Sequence, residues 1–101
     1  VQIRILAEAE ADILDAHDWY ESRRNGLGAE FELCVENALE RIAEMPFVST
    51  PWKRGARRIL LYRFPYGIFY AIRNDTIFIL AIFHLKRSPS RLHSTISKRR
   101  K

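Results

Sequence analysis

Two helical stripes separated by a link of about four residues limit how this chain can fold. Leu6, Ala9, Ile13, Ala16 and Tyr20 recur at alternating steps of three and four; Leu27, Phe31, Val35, Ala38 and Ile42 follow at steps of four, four, three and four, with Cys34 and Leu39 widening the stripe. This spacing predicts helices over about 7–23 and 28–44. Glu8, Glu10 and Asp12 suit the positive end of the first helix dipole, and Arg23 and Arg24 suit its negative end. Asn25-Gly26 tolerates the left-handed conformation that closes a helix, and Met45-Pro46 ends the second because proline pushes its predecessor out of the helical region. So short a link folds the helices back as an antiparallel hairpin.

The remaining ordered segments read as strands. Val1, Ile3 and Ile5 alternate with Gln2 and Arg4. Three more strands are predicted over about 56–64, 68–73 and 77–84. Phe64-Pro65-Tyr66-Gly67 makes the first turn between them, and Asn74-Asp75 a two-residue hairpin. Ile77–Phe83 is apolar on both faces, as a covered central strand is. After Lys86 apolar periodicity fades into Ser, Pro, Arg and Lys. The expected architecture is α+β, in the order βααβββ, with the helical hairpin on one face of a small, largely antiparallel sheet. At 101 residues the chain supports one core, here a domain over 1–89 followed by a mobile basic tail over 90–101, with one short ordered segment in it as the alternative.

Several classes are excluded. A single cysteine, Cys34, leaves no disulfide framework or Cys-based zinc site and fits a reducing cytoplasm, the expected location. The longest apolar run, Ile77–Phe83, is far short of the ~20 residues a bilayer span needs. No metal-ligand spacing, glycine-rich phosphate loop or nucleophile-elbow serine occurs, so neither metal nor cofactor is expected.

Charge is unevenly divided. Residues 1–51 carry four basic and eleven acidic side chains, a net of −7; residues 52–101 carry thirteen basic side chains and one acid, Asp75, a net of +12. The second half is therefore expected to meet a polyanionic or acidic surface. Lys53, Arg54, Arg57 and Arg58 lead into the second predicted strand, Arg63 ends it, Arg73 ends the third, and Lys86 and Arg87 follow the fourth. The sheet face away from the helices is expected to gather these cations, with Trp52, Tyr62, Tyr66, Phe69 and Tyr70 among them. Arginine suits phosphate because its planar fork pairs bidentately with the oxygens. His84, beside Lys86 and Arg87, is the best candidate for proton transfer at a ribose hydroxyl; the alternative is a histidine that merely caps a strand. The basic half offers His84 no carboxylate partner except Asp75, which is a turn residue.

Taken together, Ala-Glu-Ala-Asp (residues 9–12), Asp18-Trp19-Tyr20-Glu21, Gly26-Leu27-Gly28 with Phe31, Arg57-Arg58, Phe64-Pro65-Tyr66 with Ile68 and Tyr70, and His84-Leu85-Lys86-Arg87 resemble the RelE/ParE superfamily of bacterial toxins from toxin–antitoxin pairs. The resemblance implies the same βααβββ order and a cognate antitoxin partner whose segment folds on binding. Two activities occur in the superfamily. The ParE-like branch, which the strings favour, inhibits DNA gyrase; Lys53, Arg54, Arg57, Arg58, Lys86 and Arg87 are then the expected target-binding residues. The RelE-like branch cleaves messenger RNA on the ribosome without metal; His84, Arg73 and Arg63 would then be catalytic. No tyrosine follows His84, which departs from the RelE-like pattern.

Overall fold

The computed structural model describes residues 2–52, 55–86 and 89–99. The chain runs β1 (Gln2–Ile5), α1 (Ala7–Arg23), α2 (Leu27–Glu44), β2 (Thr50–Pro51), β3 (Arg57–Leu60), β4 (Tyr66–Arg73), β5 (Thr76–His84) and α3 (Pro89–Arg99). The expected order is present, with two additions: the two-residue β2, and α3 in what was read as a mobile tail. The five strands lie in the order β1-β5-β4-β3-β2, with β1 parallel to β5 and every other pair antiparallel.

The hairpin is built from close approach and one carboxylate. Gly26 takes a left-handed φ of 88° between the helices, a conformation that L side chains avoid. Gly28 faces His17: a Cβ there would lie 2.5 Å from the imidazole and 2.7 Å from the His17 carbonyl. Gly28→Ala is therefore expected to force the helices apart at a cost of about 1–3 kcal/mol. A urea midpoint unchanged from the parent would show that the hairpin widens freely.

Glu21 accepts the N–H groups of Gly26 and Gly28, both at 2.9 Å, satisfying donors that the start of α2 leaves open. These two bonds, Gly26's first, hold its carboxyl below the usual carboxylate range. A depressed carboxylate contributes stability above its unfolded pKa, and that contribution is lost as pH falls through the lowered folded value. Acidification below about pH 4 is thus expected to weaken the parent more than Glu21→Gln. Urea midpoints from neutral to acid pH should show the gap between the two closing; a constant gap would mean that the charge is not what matters.

The hairpin covers one face of the sheet. Tyr20, Phe31, Phe64 and Tyr66 form an aromatic cluster there, with Ile68, Tyr70, Ile77, Ile79 and Ile82 extending the core. The other face is also covered: Ile96 of α3 is fully buried against Phe69, Ala71, Leu80, Ala81 and Phe83, with Leu92 and Trp52 packed beside it. Two-sided burial accounts for the apolar run of β5. The β4–β5 register skips Leu80, with Tyr70 opposite Ile79 and Phe69 opposite Ala81. This bulge turns both Leu80 and Ala81 to the α3 side.

β1 ends opposite Ile79, so beyond that point β5 has no strand on that side among the described residues. Two side chains take the place of one. Asp12 of α1 accepts the Ile82 N–H at 3.1 Å, Arg99 of α3 donates to the Leu80 carbonyl at 3.1 Å, and the two pair with each other at 2.6 Å.

Candidate functional site

The structure does not gather the expected cations on one open surface. The far face of the sheet is occupied by α3, and neighbouring strand residues point to opposite faces. Arg57 turns inward toward the chain preceding β2, donating to the carbonyls of Phe47 and Ser49 at 3.0 Å each. That segment is also held by Tyr70, whose hydroxyl donates to the Pro46 carbonyl at 2.9 Å and bonds Ser49. Arg58 lies on the opposite face, its Cδ above Gly67 next to Leu85; its Nε is buried without a hydrogen-bond partner. Arg63, in the turn before β4 with φ 73°, reaches back to Glu30 of α2 at 2.6 Å. That hydrogen bond, with the charge of Arg24 alongside, lowers the Glu30 pKa. Lys86 is exposed. Lys53, Arg54 and Arg87 lie outside the described residues.

His84, Arg73 and Arg63 are not brought together as one catalytic group. His84 pairs with Tyr66 at one end of the β4–β5 ladder and Arg73 with Thr76 at the other. At about 3.3 Å per residue, the two are roughly 23 Å apart along the strand. Arg63 is engaged by Glu30. The His84 ring stands edge-on to Tyr66, centroids 5.0 Å apart, and its Nδ1 accepts the Lys86 N–H at 3.1 Å, so a neutral ring carries its proton on Nε2. The cleft of about 520 Å³ that it borders is also lined by Asp12, Asp15, Trp19 and Pro65. The carboxylates absent from the basic half are thus supplied by α1. Asp12 is already paired with Arg99, so Asp15 is the acid this cleft leaves beside His84.

The aromatic residues expected among these cations are mostly packed inside. Tyr66, Phe69 and Tyr70 are core, and Trp52 packs between Phe69 and His93 of α3. Trp19, beside the buried Tyr20, is 52% exposed, with the Arg23 guanidinium 4.3 Å above its ring. Tyr62 is exposed beneath Arg41. Met45, Val48 and Leu60, also exposed, rim a cleft of about 380 Å³ between α2 and β3 that Arg41, Glu44, Ser49, Thr50 and Arg58 line as well.

A third pocket, of about 420 Å³, does collect cations: Arg4, Arg73 and Arg99 surround a floor of Leu6, Ala71, Phe78 and Leu80. Arg99 is tied to Asp12, while Arg4 and Arg73 are exposed and have no acidic partner among the described residues. Arg4 escaped the sequence reading because it belongs to the acidic half. Only the parallel pairing of β1 with β5, which sets Arg4 opposite Phe78, carries it across. Among the described residues no group of three or more His, Cys, Asp or Glu could hold a metal ion, and no helix is long and apolar enough to cross a membrane.

Comparison with known proteins agrees with the fold. Residues 3–89 match the family model described as ParE toxin of type II toxin-antitoxin system, parDE. Over 99 residues the chain is 26% identical to Toxin ParE2 of Mycobacterium tuberculosis, in both strain CDC 1551 / Oshkosh and strain ATCC 25618 / H37Rv, covering 97% of this chain and 94% of each relative. A chain from the chromosomal ParDE TA system of P. aeruginosa superimposes with a TM-score of 0.66 at 20% identity, over 85% of this chain and 97% of that one.

Proposed function

The chain belongs to the ParE toxin family of type II toxin–antitoxin systems, and on that premise we propose that it arrests growth by binding and inhibiting DNA gyrase until a cognate antitoxin covers it. The observation that carries this reading is the dispersal of the groups that RNA cleavage would need: His84 and Arg73 stand at opposite ends of β4–β5, and Arg63 is committed to Glu30. A gyrase-binding toxin acts through surface complementarity and needs no assembled acid and base. The exposed apolar residues Met45, Phe47, Val48, Leu60 and Tyr62 supply such a surface. Arg57, Arg58 and Lys86 are the described members of the expected target-binding set, with Arg57 bonded to the Phe47 and Ser49 carbonyls and Arg58 lying over Gly67 beside Leu85; Lys53, Arg54 and Arg87 belong to the same proposal by sequence. Gyrase works on the chromosome, so this reading places the protein in the cytoplasm.

Purified protein added to gyrase is expected to reduce supercoiling or trap cleaved DNA. Unimpaired supercoiling at excess protein would reject the reading. One observation favours the second reading, ribosome-dependent cleavage of messenger RNA: His84 shares its cleft with Asp15. Toeprinting on translated message in parallel decides between them, because new cuts that vanish with His84→Ala would establish the nuclease.

A further inference from the structure

We propose that the pocket bounded by Arg4, Arg73 and Arg99 docks an extended acidic peptide of the pattern acid-x-apolar-x-acid. This rests on the toxin–antitoxin reading for the peptide's source, a segment of the antitoxin. The pattern follows from the sheet register. Arg4 is opposite Phe78 and Phe78 is opposite Ala71, so β1 and β4 flank Phe78 on either side. Arg73 lies two residues beyond Ala71 on the same face of β4. With strands about 4.8 Å apart and a rise of about 3.3 Å per residue, the Cα atoms of Arg4 and Arg73 are roughly 12 Å apart, with Phe78 between them.

In an extended peptide, residues i, i+2 and i+4 share a face, and i to i+4 spans roughly 13 Å. Carboxylates at i and i+4 therefore reach the two unpartnered guanidinium groups while an apolar side chain at i+2 enters between them. Bidentate arginine–carboxylate pairing supplies orientation. Burial against Leu6, Ala71, Phe78 and Leu80 supplies the apolar contribution. A nucleotide fits less well, because the floor holds no polar side chain to read a base edge.

The probe is a synthetic peptide, acetyl-Ser-Glu-Ser-Leu-Ser-Glu-Ser-amide, titrated into the full ¹⁵N-labelled chain and followed by amide chemical shifts. Shifts are expected at Arg4, Leu6, Ala71, Arg73 and Phe78. Arg4→Ser and Arg73→Ser should each weaken binding about tenfold, and Leu→Ser in the peptide should weaken it comparably. Both arginines are exposed and without acidic partners among the described residues, so the variants are expected to fold, which the spectra themselves report. Shifts confined to another surface, or equal affinity for the serine variants, would overturn the proposal. A hexathymidine that binds the same residues more tightly than the peptide would also overturn it, making this a nucleic-acid site. The readout uses neither toxicity nor gyrase. Peptide binding without gyrase inhibition would thus discard the target and keep the site, and inhibition without peptide binding would do the reverse.

Discussion

Phe31→Ala is expected to remove about 3–5 kcal/mol of stability, the range for emptying an aromatic position in a closed core. Phe31 is fully buried. Its ring lies 5.4 Å from Tyr20, 5.3 Å from Phe64 and 5.2 Å from Tyr66. These partners come from α1, from the turn before β4 and from β4 itself, so one truncation loosens the hairpin from the sheet at the point where three segments meet. Against a total of about 5–15 kcal/mol for a domain, the loss should lower the melting temperature by on the order of 20 °C. Thermal unfolding followed by circular dichroism measures it. A shift of only a few degrees would mean that the neighbouring rings close over the gap.

Ile96→Ala should have the next largest effect, expressed differently. Ile96 is the only residue of α3 that is completely buried, and it sits on Phe69, Ala81 and Phe83. Truncating a buried isoleucine costs about 2–5 kcal/mol, but a terminal helix can undock instead of retaining a cavity, so the loss is limited to what docking contributes. The expected result is faster hydrogen exchange across 89–99, by about 30-fold or more, while amides of β4 and α2 keep their protection. Loss of protection throughout the chain would instead make α3 an inseparable part of the fold.

Much of the fold was legible because its signals are local. α1 begins and ends where the stripe of Leu6 to Tyr20 predicts, α2 begins one residue earlier than expected, and Asn74 and Asp75 both take positive φ in the β4–β5 turn. The strand expected over 56–64 shortens to Arg57–Leu60 because the chain turns again before Arg63. α3 was missed because its inward face consists of little more than Leu92, Ile96 and Arg99, too sparse to register as a stripe. The two further histidines are packed as well: His17 on Gly28, and His93 against Trp52.

The site was less legible, because charge counted along a chain says nothing about which face a side chain takes. Arg57 and Arg58 are adjacent in sequence and separated by the thickness of the sheet. Arg63 and Arg99 are neutralised by Glu30 and Asp12 of the acidic half. The aromatic and glycine motifs that carry the superfamily resemblance, Tyr20-Glu21, Gly26-Leu27-Gly28, Phe31 and Phe64-Pro65-Tyr66, turn out to hold the hairpin on the sheet. They report the fold well and the target poorly.

Pairing of β1 with β5 joins Gln2 to Thr76 and Ile5 to Ile79. Contacts between such distant stretches raise contact order, so these strands should zip late and set the refolding rate. During synthesis, the first strand waits unpaired until nearly the whole sheet has emerged from the ribosome, long after the helices can form. A half-made chain is therefore unable to present Arg4 beside Arg73, and whatever recognises that juxtaposition will ignore nascent copies and bind finished ones. Ribosome-stalled chains truncated before β5 offer the direct comparison, since they should fail to retain the acidic probe peptide that the released protein holds.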